Sequence, residues 1–413
     1  MVGRGYVPAE LMPYAINPSR RGRGDKGKGV EEVKVDFKFS EEQELFRKTA
    51  SQFAQKEVAP LVEELEQREE FPPELLRRMG ELGFLGIPYP EEYGGSGGDV
   101  VTLCIFLEEV GRVSIAVAVA AVVQTNGVPA PVYLFGTEDQ KERYLIPCLR
   151  GEKLGAIAMT EPDAGSDVAS IRTSAKEVDY GYLIDGTKTF CTNGGIADLL
   201  FTTAVTDPTK GIKGISMFVV DKGLPGVSVS KNIKKLGLHG LGTYEIVFDG
   251  CRVDSGCLLG EKDKGFYNLM RSVERNRMGV AAMAIGLAKA AFDNALQHAK
   301  DRIQFGKTIG SFQGVQFMLA DMAVEIELAA LMVYKAAWMD DQGMRCNKEA
   351  SIAKLYASEM VNRVTYKALQ VFGGYGYMTE YPLERYFRDA RVFEIFEGTS
   401  EIQRVIISRE LGL

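Results

Sequence analysis

The period of the apolar residues changes twice along this chain, and that double switch constrains the fold more than any single motif. From Phe37 to about residue 150 the spacing is helical. Leu45, Phe46, Phe53 and Val58 recur on one face, then Leu75, Leu76, Met79 and Leu82, then come runs at Val100–Val123 and Thr137–Leu149. Ser40-Glu41-Glu42-Gln43 is a capping box that opens the first helix, and Pro60 is expected to close it; Pro72-Pro73-Glu74 opens the second. Near Lys153 the pattern turns to short β-rich segments: Tyr182–Thr187, Leu199–Val205, Gly214–Val220, Val227–Val229 and Tyr244–Phe248. Their spacing predicts a small antiparallel barrel or sandwich. From Lys264 the helical period returns. Met278–Ala291 is crowded with small residues that let helices approach closely, and Phe312–Trp338 and Lys348–Val371 supply further long helices of a bundle. The expected class is α+β in three parts. An all-helical domain spans 37–152, a β domain 153–262 and a helical bundle 263–413, behind an N-terminal extension of residues 1–36.

Bulk properties exclude several classes. A length of 413 residues exceeds one ordinary core. A net charge of -7 argues against a general nucleic-acid binder. The longest apolar run, Ile115–Val123, falls short of the roughly 20 residues that a membrane helix needs, so no membrane insertion is expected. Cys104, Cys148, Cys191, Cys251, Cys257 and Cys346 are scattered, with no Cys-x-x-Cys pair, as reduced thiols would be. Only His239 and His298 are present. Histidine-based zinc sites and Ser-His or Cys-His schemes are poorly supplied, and no metal site is expected. The extension carries a basic run from Arg20 to Lys28 but no apolar core for a secretory signal. Its Gly22-Arg23-Gly24-Asp25-Lys26-Gly27 spells Gly-x-Gly-x-x-Gly, yet it follows no strand and opens no helix, so it is read as chance. A flexible or partner-clasping tail is the expectation. The cytoplasm is the expected compartment, the mitochondrial matrix the alternative.

The run from Tyr381 to Arg404 holds the densest chemistry. It sets Glu397 between an apolar wall (Phe393, Ile395, Phe396) and a small hydrogen-bonding turn (Gly398, Thr399, Ser400). Apolar surroundings disfavour the charged form of a carboxylate and move its pKa toward that of a useful general base. A glycine beside it lets another molecule approach the backbone. A solvated glutamate at a helix start would read the same way. A second segment, Ala158-Met159-Thr160-Glu161-Pro162-Asp163-Ala164-Gly165-Ser166-Asp167, gathers hydroxyls and backbone amides that suit the edge of a flat heteroaromatic ring or a phosphate; a tight surface turn is the competing reading. A third, Lys188 to Gly195, places an aromatic ring, Phe190, near Thr192, suited to a planar cofactor.

In this order and separation the segments resemble the acyl-CoA dehydrogenase family of flavoenzymes. Thr160-Glu161-Pro162-Asp163-Ala164-Gly165-Ser166-Asp167 and the run from Arg388-Asp389-Ala390 through Ile395 to Glu397-Gly398-Thr399 carry the resemblance. They are joined by Pro90 to Gly95, Arg302 to Lys307 and Gln370 to Gly374, and the likeness extends from about Phe37 to the C-terminus. It implies a helical N-terminal domain, a middle β-barrel, a C-terminal four-helix bundle, and FAD held without a dinucleotide-fold loop. It also implies a homotetramer built as a dimer of dimers, with electron-transferring flavoprotein as the usual electron acceptor. By position, Met159, Thr160, Ser166, Phe190, Cys191 and Thr192 are expected at the flavin. Arg302, Phe305, Gln313, Gln370, Gly373 and Gly374 are expected at the adenine and pyrophosphate end from a neighbouring subunit. Thr399, Ser400 and Glu401 complete the expected FAD contacts.

The resemblance places Glu397 as the base that removes the α proton of an acyl-CoA thioester while hydride leaves the β carbon. The Glu397 N–H and a flavin ribityl hydroxyl are then the donors to the thioester oxygen. Some members carry the base on the bundle helix just before an arginine; here that position is Asn276, before Arg277, and an amide cannot act as a base. Glu274 lies two residues earlier, on another helix face. Ser166, Glu274, Arg277 and Gly398 are expected at the substrate, Glu274 with Arg277 beside it at the CoA portion, and Gly398 small because the thioester lies against it. The chain departs from the family at Phe190, where a tryptophan is common, and at His239 and Gly242, where many members carry arginine and serine. The helix expected over the acyl pocket, Ile115–Ala120, is wholly apolar, and no arginine stands near Ala118 to pair a distal carboxylate. An uncharged acyl chain of short to medium length, branched and cyclic chains included, is expected. An oxidase or monooxygenase-like relative and a non-catalytic acyl-CoA-binding member are the competing readings.

Overall fold

A computed structural model describes residues 38–413, of which Glu41–Leu413 form one compact unit. The extension and its Gly-x-Gly-x-x-Gly run lie outside the described residues. The helical first part runs through α1 (Glu41–Phe53), α2 (Val62–Arg68), α3 (Pro73–Glu81), α4 (Val100–Gly111), α5 (Ile115–Asn126) and α6 (Pro129–Phe135). It ends with α7 (Glu138–Gln140), which passes through a π turn (Lys141–Leu145) into α8 (Ile146–Leu149). Pro60 does not end the first helix. A π turn (Ala54–Val58) and a 3-10 turn (Ala59–Leu61) carry the chain from α1 into α2. Pro60 sits in the first turn of that short helix, where a missing N–H has no intrahelical acceptor to lose.

The middle part is an eight-stranded sheet. Its strands are β1 (Gly155–Ala158), β2 (Ser174–Val178), β3 (Gly181–Thr192), β4 (Leu199–Val205), β5 (Ile215–Asp221), β6 (Val227–Val229), β7 (Thr243–Asp254) and β8 (Leu258–Leu259). The order is β6-β7-β3-β2-β4-β5-β8, with β1 beside β4. Most pairings are antiparallel, as expected, but β1 and β2 each pair with β4 in parallel, so the sheet is mixed. One face packs Ile184, Leu200, Phe218, Val220, Ile246 and Phe248 into a core of its own.

The chain then returns to helices: α9 (Gly265–Val273) and α10 (Asn276–Asp301), a two-strand hairpin of β9 (Ile303–Gln304) and β10 (Lys307–Thr308), and then α11 (Gln313–Asp341) and α12 (Asn347–Phe372). The short α13 (Leu383–Ala390) and α14 (Ser400–Glu410) close the chain. α10 packs against α4, α11 and α12, and α12 also against α14. The small residues of α10 serve this packing: a Cβ on Gly286 would come within 2.2 Å of the Glu108 carbonyl oxygen on α4. The stretches Ile115–Phe135 and Gly265–Asp301 are long and apolar enough to cross a membrane, a length that the sequence reading of a single short run missed. Their most apolar windows are 100% and 72% buried inside the protein, as core helices are.

Candidate active site

Glu397 and Gly398 lie consecutively in left-handed backbone, at φ +53° and +86°. A non-glycine residue there costs about 1–2 kcal/mol, so the surroundings must hold it. Two side chains, each 0% exposed, do so. Lys354, on α12, donates from Nζ to the carbonyls of Phe393 (2.8 Å) and Gly398 (2.7 Å). Gln403, on α14, donates from Nε2 to the carbonyls of Glu397 (3.3 Å) and Gly398 (3.1 Å). Thr399 caps α14, its Oγ1 accepting the Ile402 N–H at 3.3 Å. Gly398 must be small for a reason internal to the chain as well, since a Cβ there would meet Gln403 Nε2 at 2.6 Å. Among the described residues no backbone carbonyl accepts from the Glu397 N–H.

The carboxylate itself is partly buried, and Asn276 Nδ2 at the start of α10 donates to its Oε2 at 3.4 Å. Burial pushes the Glu397 pKa up, while the Asn276 amide, the Lys354 ammonium and the Arg277 guanidinium pull against that rise. Arg277 is one of the residues expected on the CoA side. It is 7% exposed and donates to Asn347 Oδ1 (2.6 Å) and Ser351 Oγ (3.3 Å), so it is turned into the bundle toward α12. Glu274 takes a different direction. It lines a cavity of about 170 Å³ with Tyr89, Asn126, Tyr133, Ser272 and Asp340. Asn126 is 4% exposed, and its Nδ2 has no partner. Ala118, by contrast, is fully buried within α5.

β1 delivers the second segment. Met159 and Thr160 are partly exposed, and Ser166 is exposed on the loop beyond. A buried ion pair fixes this loop: Glu161 accepts from Lys188 Nζ (2.8 Å) and from the N–H groups of Arg172 (2.7 Å) and Thr173 (3.0 Å). Burial raises the Glu161 pKa, but Lys188 and the backbone donors outweigh it and hold the carboxyl below its usual value. Thr189 N–H bonds to the Thr160 carbonyl at 2.7 Å and ties the loop to β3. Just beyond, the register between β3 and β7 shifts from Lys188 to Cys191. Phe190 sits in that bulge at φ +56° and is 65% exposed. The same bulge turns Cys191 inward. The side chain of Cys191, a residue expected at the flavin, is buried in the sheet core. Ser400 is likewise buried, with its Oγ unpartnered, while Glu401 is exposed at the start of α14.

The residues expected at the adenine end gather elsewhere. Arg302, Gly373 and Gly374 line a cavity of about 500 Å³ with His298, Gln304 and Tyr375. Met159, Thr160, Phe190 and Thr192 are not part of that lining. Phe305 stands at the tip of the β9–β10 hairpin, 93% exposed; Gln313 starts α11 and Gln370 lies in the last turn of α12, both exposed. These residues fit a flavin dinucleotide. An exposed aromatic ring stands beside a pinned loop, and an arginine faces two glycines at which an added Cβ meets nothing.

The departures at 239 and 242 have a structural account. A Cβ on Gly242 would lie 2.5 Å from the Tyr244 hydroxyl, so the tyrosine ring fills the space a serine would need. His239 Nδ1 faces Glu66 at 3.3 Å, and Arg388 bonds Glu66 and Glu384 beside it, joining α2 to α13. The sequence reading missed Lys354 and Gln403. The available signal was a lysine on the stripe Ala350, Ala353, Ala357 and Val361, where the helical period demands an apolar residue.

A helical part, a mixed sheet and a helical bundle carrying a strained, partly buried glutamate define an oxidoreductase of the flavin-dependent acyl-thioester class. The chain belongs to the acyl-CoA dehydrogenase family. The family's N-terminal domain matches residues 40–152, its middle domain 156–251 and its C-terminal domain 263–412. An acyl-CoA dehydrogenase of Bacillus subtilis is 46% identical over 372 residues, covering 90% of this chain and 98% of the relative. The caffeyl-CoA reductase-Etf complex subunit CarC of Acetobacterium woodii is 45% identical, covering 90% and 98%. The solved butyryl-CoA dehydrogenase of Megasphaera elsdenii superposes with a TM-score of 0.90 at 40% identity, covering 92% of this chain and 100% of that one. The protein is an acyl-CoA dehydrogenase-type oxidoreductase and a flavoprotein.

Proposed function

We propose that this enzyme removes two hydrogens from the α and β carbons of an uncharged short- to medium-chain acyl-CoA, with Glu397 as the base. The observation that carries the reading is the left-handed Glu397 turn, which combines a carboxylate of raised pKa with an N–H free of backbone partners. An α C–H is a weak acid, so proton removal needs both a base near the working pH and a donor where negative charge develops on the thioester oxygen. Glu397 supplies the first and its own N–H the second. FAD, held by Met159, Thr160, Ser166, Phe190 and Thr192 on one subunit and by Arg302, Phe305, Gln313, Gln370, Gly373 and Gly374 of a neighbour, supplies the hydride acceptor when bound. Thr399 and Glu401 flank it. Glu274 lines the cavity we assign to the CoA side. In this reading two subunits complete each flavin site, within a homotetramer built as a dimer of dimers. Electron-transferring flavoprotein is the proposed acceptor, supported by the Etf complex in which the A. woodii relative takes part. We assign the enzyme to the cytoplasm.

A panel of saturated acyl-CoAs tests the substrate class. Under anaerobic conditions the FAD-loaded enzyme is expected to lose its visible flavin band with butyryl- to octanoyl-CoA and to keep it with glutaryl-CoA. Bleaching by glutaryl-CoA alone would refute the uncharged-chain reading.

A further inference from the structure

We propose that Lys354 is a positioning residue for the base. It clamps the Phe393–Gly398 turn and provides the buried positive charge against which the Glu397 carboxylate is set. The inference rests on the reading of Glu397 as the base and extends it.

Lys354 is a fully buried lysine on a helix face otherwise made of small and apolar residues. A buried ammonium needs partners, because desolvating it is costly. Its partners are two carbonyls at opposite ends of one turn, Phe393 and Gly398, and they bracket Glu397. That placement does two things. It fixes both ends of a turn whose last two residues are held in left-handed backbone, so the carboxylate and N–H of Glu397 keep one direction. It also keeps a buried cation close enough to act on the Glu397 carboxylate, in a region of low polarity where a charge acts strongly. Gln403 bonds two of the carbonyls of this turn, including that of Gly398, without carrying charge. The two side chains therefore separate the mechanical role from the electrostatic one.

The surrounding charges are consistent with this division. Lys354 faces Glu397 and Glu394 from the turn, Glu401 from α14 and Arg277 from α10. Burial draws its pKa down to about 8, so it remains cationic at neutral pH. Glu397 faces Asn276 and Arg277 from α10 and Lys354 from α12. Arg277 is engaged by Asn347 and Ser351 and contacts no carbonyl of the turn.

The test is the pH profile of kcat/KM for the holoenzyme, with Lys354→Met, Gln403→Leu and Glu397→Gln measured beside wild type. Removing the cation raises the Glu397 pKa, so the acid limb of Lys354→Met is expected to move up by about one unit, a roughly tenfold loss of rate at any pH below it. Gln403→Leu is expected to lower the rate without moving that limb. Should Lys354→Met not fold, Lys354→Gln, which keeps a donor for one carbonyl, is read in the same way. An acid limb that stays in place in the lysine variants, or moves equally in Gln403→Leu, overturns the proposal. Full activity in Glu397→Gln overturns instead the assignment of the base on which it rests.

Discussion

Asn276 and Glu397 meet across the site at 3.4 Å, and only one of them can take a proton. The amide can only donate to the carboxylate, which leaves Glu397 as the proposed base, and burial raises its affinity for the proton. The glycine that follows it is doubly constrained, by its φ of +86° and by Gln403. Gly398→Ala is expected to destabilise the enzyme by about 1–2 kcal/mol and to slow flavin bleaching. Thermal melts and stopped-flow traces would show both effects, and an unchanged melting point would argue against the strained turn. Asp389 makes a second prediction at this scale. It is 4% exposed, accepts the Leu238 N–H at 2.6 Å, and burial raises its pKa to about 6. A carboxyl that is easier to protonate in the folded state stabilises the fold fully below its unfolded pKa. That contribution is lost as pH rises through the folded value. Asp389→Asn should therefore match wild type near pH 4 and exceed it above about pH 6, by at most roughly 3 kcal/mol. Denaturant midpoints at the two pH values decide it.

The elements that build the site differ in how plainly the sequence announces them. The long helices do so through sustained period and small-residue runs, and β4, β5 and β6 through compact β-rich segments. β1 does not, because Gly155-Ala156-Ile157-Ala158 pairs in parallel and is buried along most of its length, which leaves no alternation to read. β2 is hidden by its polar Lys176 and Glu177. Motif positions locate Glu397 and the 159–166 loop. They say nothing of the bulge that sends Phe190 outward and Cys191 inward, because a register shift depends on the partner strand. The inward turn of Arg277 depends in the same way on Asn347 and Ser351, seventy or more positions away. The Glu161–Lys188 pair joins two elements and yields its own prediction. Lys188→Met leaves an uncompensated buried carboxylate and should cost about 3–5 kcal/mol, with FAD retained less well on gel filtration. Adding Glu161→Gln should recover part of that stability. A double variant less stable than the single one would contradict this view of the pair.

For the whole molecule, the proposed FAD site draws residues from two subunits and so calls for assembly. α11 offers a surface for it. Phe317, Val324, Leu328, Leu331 and Trp338 recur at heptad-like spacing and are all exposed. Wild type is expected to sediment as a tetramer, and Leu328→Asp to shift it toward smaller species with weaker FAD retention. A wild-type monomer that holds FAD tightly would contradict the shared site. Whether Glu397 is the base is decided by anaerobic flavin bleaching. Wild type and Glu397→Gln, both loaded with FAD, are mixed with the best substrate of the acyl-CoA panel. The account predicts rapid bleaching by wild type and at least a ~10²-fold slower rate in the variant; bleaching at the same rate in both would place the base elsewhere, with Glu274 the next residue to test.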